Sequence, residues 1–490
     1  MDYVDDLCTS LAHHEIDRQQ FISRALRTGV GLATIGSLLK IYTGPGARAA
    51  ADSLRASTAA SSFNWKKYAG TTIHVNFSKH PYSNAAVADL ASFKALTGIN
   101  AVVNFTPEQE YFDKLQLNLA GKSTELDVFM LGAYMAWQYG PPGYCVDLSQ
   151  YIKDASVTSP DFNVTDFFPV VMRNDSWNGV AGTPPGVGDA KQWAFPWGWE
   201  QNVLTYRRDL FQKHGIAVPT TYAGVLQAAM KLKKAEPSII PFLARGQLSW
   251  DTIHPGYLSG LYSYGGRDFN SKLQPVMNSS SAVKYTDLFI NLIKNYGPPA
   301  GRWTGYGVFD VSAAMGAGEV GMFHDATVLG YSADLPGASK IGGKGLMGWA
   351  PSPNAGGSNH GSNIWIWSLG MNNASQHKDA AWYFIQWATS RQHLAFAAPR
   401  GHADTVRQSV YNTSAYQNLL AQHHNYKSTV NSMLGESHIE FTPQPFFFTT
   451  TTSWAGALQD IYVGKTSTKA GLDSLTQKIS AQLSQAGLTK

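Results

Sequence analysis

The sequence predicts an α/β protein organised as two domains. Three observations lead there. A chain of 490 residues is longer than one hydrophobic core organises. With 44% hydrophobic and 15% charged residues it has the composition of a folded chain rather than a disordered one. Between Thr72 and Leu131 the hydrophobic period switches repeatedly between two residues and 3.6.

The N-terminal residues 1–51 read as an export signal rather than as fold. Arg18, Arg24 and Arg27 precede a mildly apolar run from Gly29 to Leu39, and the small-residue pattern Ala47-Arg48-Ala49 follows. That run is shorter than the roughly 20 residues needed to span a bilayer. The segment Asp17-Arg-Gln-Gln-Phe-Ile22 is similar to the twin-arginine export motif with Gln19 in place of the second arginine, which leaves both that route and the general secretory route open. Residues 52–64 are rich in Ala and Ser and read as a linker, with folded structure starting near Trp65.

Thr72–Phe77 alternates as a strand, and Asn84–Leu96 carries a helical apolar face that Thr97-Gly98 stops. Ile99–Phe105 is a second strand, Gln109–Ala120 a second helix and Asp127–Leu131 a third strand. This strand–helix–strand–helix–strand run is a right-handed parallel unit, whose ligands bind beyond the carboxyl ends of the strands. Residues 140–193 are irregular and rich in Gly, Pro, Asn and Asp. A bridge follows at 194–215, with Phe195, Trp197, Trp199 and Glu200, then an apolar run and a charged helix start at Arg207–Lys213. Thr220–Lys234, Leu258–Tyr264 and Ala282–Tyr296 have helical patterns. Glu319–His324, Leu346–Ala350 and Ile364–Gly370 read as strands, Ala374–Ser390 as a helix and the remainder as mostly helical.

A formal net charge of +4, without a basic stripe, is too weak to imply nucleic acid, and no such partner is expected. Of the two cysteines, Cys8 lies in the leader, so Cys145 stands alone and reads as a small buried residue. His324 and His360 have no second ligand at useful spacing, so neither a metal nor a cofactor is expected.

Four places, taken in order, carry a family resemblance: the opening unit ending in Asp127-Val-Phe-Met; Glu200 followed by Leu204–Tyr222; Gly318–Asp325; and Trp349–Pro353 with Trp367–Asn373 and Asp379–Trp387. The chain resembles the extracellular solute-binding proteins of sugar ABC transporters, the family 1 group that includes maltose-binding proteins. The resemblance implies a type II periplasmic-binding-protein fold of two lobes, each a mainly parallel sheet flanked by helices, with a ligand cleft between them. It implies an N-terminal lobe of 65–198 plus 346–392 and a C-terminal lobe of 199–345 plus 393–490. The implied role is periplasmic, monomeric and non-catalytic: binding a sugar or oligosaccharide and delivering it to a membrane permease. By position, Glu200 falls on the family's cleft carboxylate, Leu131–Tyr134 on the loop after the third strand, and Asp325 and Thr327 on a ligand-contacting loop.

A sugar offers C–H faces to an aromatic ring and hydroxyls to charged side chains. The candidate ligand residues are therefore Trp199, Glu200, Asp325, Tyr134, Trp365 and Thr327. Adjacent strand residues face opposite ways, so Trp199 and Glu200 share a ligand only at a bend, which Gly198 would permit. Closure of the lobes is expected about hinges near 197–202 and 340–346. Two other readings stay open: a binder of a polyol, organic acid or polyamine, and a secreted glycosidase using Glu200 and Asp325 as its carboxylate pair.

Overall fold

The computed structural model describes Leu11 and residues 63–488, apart from 358–361 and 436. The export signal, most of the linker and His360 lie outside the described residues. The chain divides into two compact units. The smaller comprises Met1–Trp65 and Thr158–Asn163; within it Phe63 and Trp65 meet edge to face at 5.0 Å. The larger, Lys66–Val157 and Val164–Lys490, carries everything that follows. No described helix is long and apolar enough to cross a membrane.

Its strands are β1 (Thr72–Ser78), β2 (Asn100–Thr106), β3 (Val128–Gly132), β4 (Ser176–Trp177), β5 (Lys191–Gln192), β6 (Phe195–Arg207), β7 (Ile240–Leu243), β8 (Val320–Ala326), β9 (Met347–Ala350), β10 (Ser362–Met371) and β11 (Ser437–His438). The main sheet runs β2-β1-β3-β10-β6-β8-β7, with β9 on β6 and β11 on β10; β4 and β5 form a separate ribbon. β1 pairs in parallel with β2 and β3, as the alternating opening predicts. Ile73, Val75 and Phe77 of β1 are all buried. The predicted first helix is two, Pro81–Ala88 and Leu90–Thr97, broken at Asp89. The second ends on Gly98 in the left-handed conformation (φ 71°).

Parallel order ends at β3. β10 runs antiparallel to both β3 and β6. β6 is buried along all 13 residues, the pattern of a strand covered on both faces. It serves two partner sets. Residues from Phe195 to Gln201 pair with β10, and residues from Asn202 to Arg207 pair with β8 and β9. The bridge is thus one continuous strand that leaves one set of strands and joins another between Gln201 and Asn202. The chain returns between β9 and β10, after Ala350.

The pairing of β6 with β10 slips by one residue beside Gly198, leaving Trp197 as an extra residue on β6, while Trp199 and Glu200 pair in regular register beyond it. A Cβ on Gly198 would lie 2.3 Å from the Tyr82 ring and 2.7 Å from His402 Nε2. The glycine is needed so that these rings can approach β6 closely.

Candidate functional site

The loops after β1 and β2 deliver His80 and Glu108, and the segment after β7 delivers Arg245. These are carboxyl ends of strands, where open α/β sheets bind ligands. Glu200 of β6 meets them, along with Trp365 and Trp367 of β10 and Trp250 and His254. Val308, Val328 and Leu329, from the starts of the helices Val308–Gly316 and Thr327–Asp334, form an apolar wall. Together these side chains line a narrow cleft with room for about one water molecule.

Glu200 is 4% exposed. Its Oε1 accepts from Trp367 Nε1 at 2.8 Å and faces His80 Nε2 at 3.3 Å. His80 Nδ1 accepts the Tyr82 backbone N–H, so the neutral ring carries its proton on Nε2 and donates it toward Glu200. Trp365 lies beside Trp250 (5.2 Å between centroids) and nearly parallel to His254 (4.9 Å). Gly132 makes room for it, since a Cβ there would fall 2.2 Å from Trp365 Cζ2.

Arg245 is the guanidinium of the site. It holds Asp325 bidentately, Nε to Oδ2 at 2.9 Å and Nη2 to Oδ1 at 2.7 Å. Nη1 donates to Asp251 Oδ2 at 3.1 Å and lies 3.3 Å from His254 Nε2. Burial raises the Asp325 carboxyl while Arg245 draws it back down. Burial, and then Arg245, hold His254 well below the usual histidine range. Glu108 begins the helix Glu108–Ala120, and its Oε2 is buried without a hydrogen-bond partner. Burial foremost, then the charge of Asp251, pushes its carboxyl up to about 8.

The sequence-derived residues separate into groups. Glu200 and Trp365 line the cavity. Asp325 lies behind it, both oxygens engaged by Arg245. Thr327 donates to Asp404 Oδ2 at 3.0 Å, next to the wall residue Val328. Trp199 is on the opposite face of β6 from Glu200, donating Nε1–H to the Thr405 carbonyl and packing by Phe168. Tyr134 bonds Asn363 Oδ1 at 2.9 Å and packs among Trp137, Trp365 and Phe447. The candidate set drawn from the sequence left out His80, Glu108, Arg245, Trp250 and His254. The position of His80 and Glu108 just beyond strands β1 and β2 was the available signal. Nothing local marked the other three.

A family profile matches the chain. It is that of bacterial extracellular solute-binding proteins, over residues 78–393. The chain belongs to the bacterial extracellular solute-binding protein family. This solute-binding protein is 36% identical over 457 residues to the erythritol/L-threitol-binding protein of Mycolicibacterium smegmatis, covering 92% of this chain and 94% of that one. Its fold matches a solute-binding protein of Agrobacterium radiobacter K84 in complex with ribitol (TM-score 0.74, 22% identity, 84% of this chain and 99% of that chain). It also matches maltose-bound MalE3 of T. maritima (TM-score 0.74, 19% identity, 84% and 100%). The solute-binding protein therefore has the two-lobed fold, serves an ABC importer and is not an enzyme. The geometry agrees with that role. A glycosidase needs two carboxylates facing the scissile bond, and Asp325 has both oxygens committed to Arg245.

Proposed function

We propose that this solute-binding protein captures a short, uncharged, acyclic polyol of the tetritol class. Its substrate-contacting groups are Glu200, His80, Glu108, Arg245 and the Trp365–Trp250 wall. The observation that carries the reading is the cleft's charge. Glu108, Glu200, Asp251 and Asp325 stand against the single guanidinium of Arg245, an arrangement that repels organic acids. A chain of hydroxyls supplies what the cleft asks for: donors for carboxylate oxygens, acceptors for N–H groups and C–H edges for indole. The tetritol name of the relative that is 36% identical supports this choice over an oligosaccharide.

In the same reading Asp325 acts through Arg245, and Thr327 through Asp404 beneath the wall, rather than by touching solute. Trp199 and Tyr134 support the cleft from behind. The lobes meet where β6 changes partners at Gln201/Asn202 and where the chain passes from β9 to β10. Residues 1–51 direct export to the periplasm, and the protein works there as a monomer beside its permease.

Isothermal titration with erythritol, L-threitol, ribitol, mannitol, maltose, citrate and putrescine tests the proposal. The expected order has a tetritol tightest and citrate without heat. Tight binding of maltose, citrate or putrescine, with no polyol heat, overturns it.

A further inference from the structure

Glu108 is the group in the cleft that the family role does not explain. The charges and titratable groups around it are Asp251, Arg245 and Glu200, with His80, His254 and Asp325 completing the shell. The positive charge of Arg245 is committed, through N–H donors, to Asp325 and Asp251. Glu200 receives the Trp367 N–H on Oε1, with His80 Nε2 3.3 Å away. Glu108 receives none on Oε2, which is sealed from water. A carboxylate there has no hydrogen bond on Oε2 and is repelled by Asp251 and Glu200; Arg245, engaged with two other carboxylates, offsets only part of the burial and repulsion, and adding a proton relieves both. The helix N-terminus beneath Glu108 favours the anion, but this effect falls short of burial and repulsion together.

We propose that Glu108 binds the solute as a neutral carboxylic acid, donating its O–H to a solute hydroxyl oxygen, so that capture takes up one proton from solution. This rests on the polyol reading above. The balance is simple: ionised Glu108 in the open, solvated cleft, one proton from the buffer and the polyol give the closed complex, with no bond to carbon changed. In water the carboxyl titrates near the ordinary value of about 4.3; in the closed cleft it is pushed up to about 8. The sign follows from the rise. Affinity is full below the open-state value and is lost as pH climbs toward the closed-state value, by at most about tenfold per pH unit. His80, Glu200, Asp251 and Arg245 set the environment, and Glu108 carries the proton.

The test is titration of the protein with erythritol from roughly pH 5.5 to 8.5, in buffers of different ionisation heat. The expected result is affinity falling about tenfold per unit up to roughly pH 7.5, with close to one proton taken up. Glu108→Gln keeps an N–H donor and cannot titrate. Its affinity shows neither slope nor uptake. His80→Gln keeps the slope. The proposal is overturned if the parent binds erythritol with flat affinity and no uptake, or if the slope survives in Glu108→Gln. Should that variant not fold, the parent's proton uptake decides alone. No heat from any polyol at any pH instead refutes the polyol reading itself, and this inference with it.

Discussion

Replacing Arg245 by leucine is the sharpest test of how the cleft is built. The guanidinium is 3% exposed, and Asp325, which it holds through two bonds of 2.9 and 2.7 Å, is 0% exposed. Asp251 loses its 3.1 Å partner at the same time. Removing one member of a buried pair leaves an uncompensated charge and costs about 3–5 kcal/mol. Arg245→Leu should lose that amount in urea unfolding near neutral pH. A second change, Asp325→Leu, removes the stranded carboxylate and should restore most of the loss. The deficit of the single variant should also shrink in acid, because the carboxylates of Asp325 and Asp251 can then accept protons. A single-variant deficit below about 1 kcal/mol, or a double variant no more stable than the single, would refute the reasoning. Either result would mean that water reaches Asp325 and that Arg245 is not the structural partner the geometry makes it.

Glu200→Gln removes the charge from a carboxylate that would bind a solute hydroxyl, a loss of about 1.5–3 kcal/mol or roughly 10- to 150-fold in tetritol affinity; calorimetry reads it, and an unchanged affinity counts against a cleft role for Glu200. Burial pushes two carboxyls up, Asp175 to about 8 and Asp404 to about 7. Asp175 accepts Ser368's hydroxyl, while Tyr82, Thr327 and Tyr426 donate to Asp404. A raised folded value means stability that is complete below the unfolded value of about 3.9 and lost as pH rises through 7 and 8. The urea midpoint should therefore fall between roughly pH 5.5 and 8, less steeply in Asp404→Asn, and a midpoint that rises over that window would contradict it.

Much of the chain's organisation was legible locally. The alternation of Ile73, Val75 and Phe77 foretold β1, and Gly98 foretold the end of its helix. The bridge through Trp199 and Glu200 is one strand of 13 residues, all buried, although Glu200, Gln201 and Asn202 interrupt its apolar sequence. The face that each of its residues presents was harder. A bend at Gly198 was expected to bring Trp199 and Glu200 to one ligand; the strand does slip register beside Gly198, but Trp199 bonds Thr405 while Glu200 bonds Trp367, and the glycine admits Tyr82 and His402.

The sequence by itself determined the α/β class, the family and the placing of a carboxylate, Glu200, where two sets of strands share β6. Those properties rest on periodicity and on the order of short segments, which are written along the chain. Only the tertiary structure decided what Glu200 faces. Arg245 and Asp325 are 80 positions apart, and Trp367 lies 167 positions from Glu200. Their pairing depends on which strand of the sheet lies beside which. The same holds for the charge state of Glu108, since a carboxyl's proton affinity is set by burial and by the charges that folding brings against it.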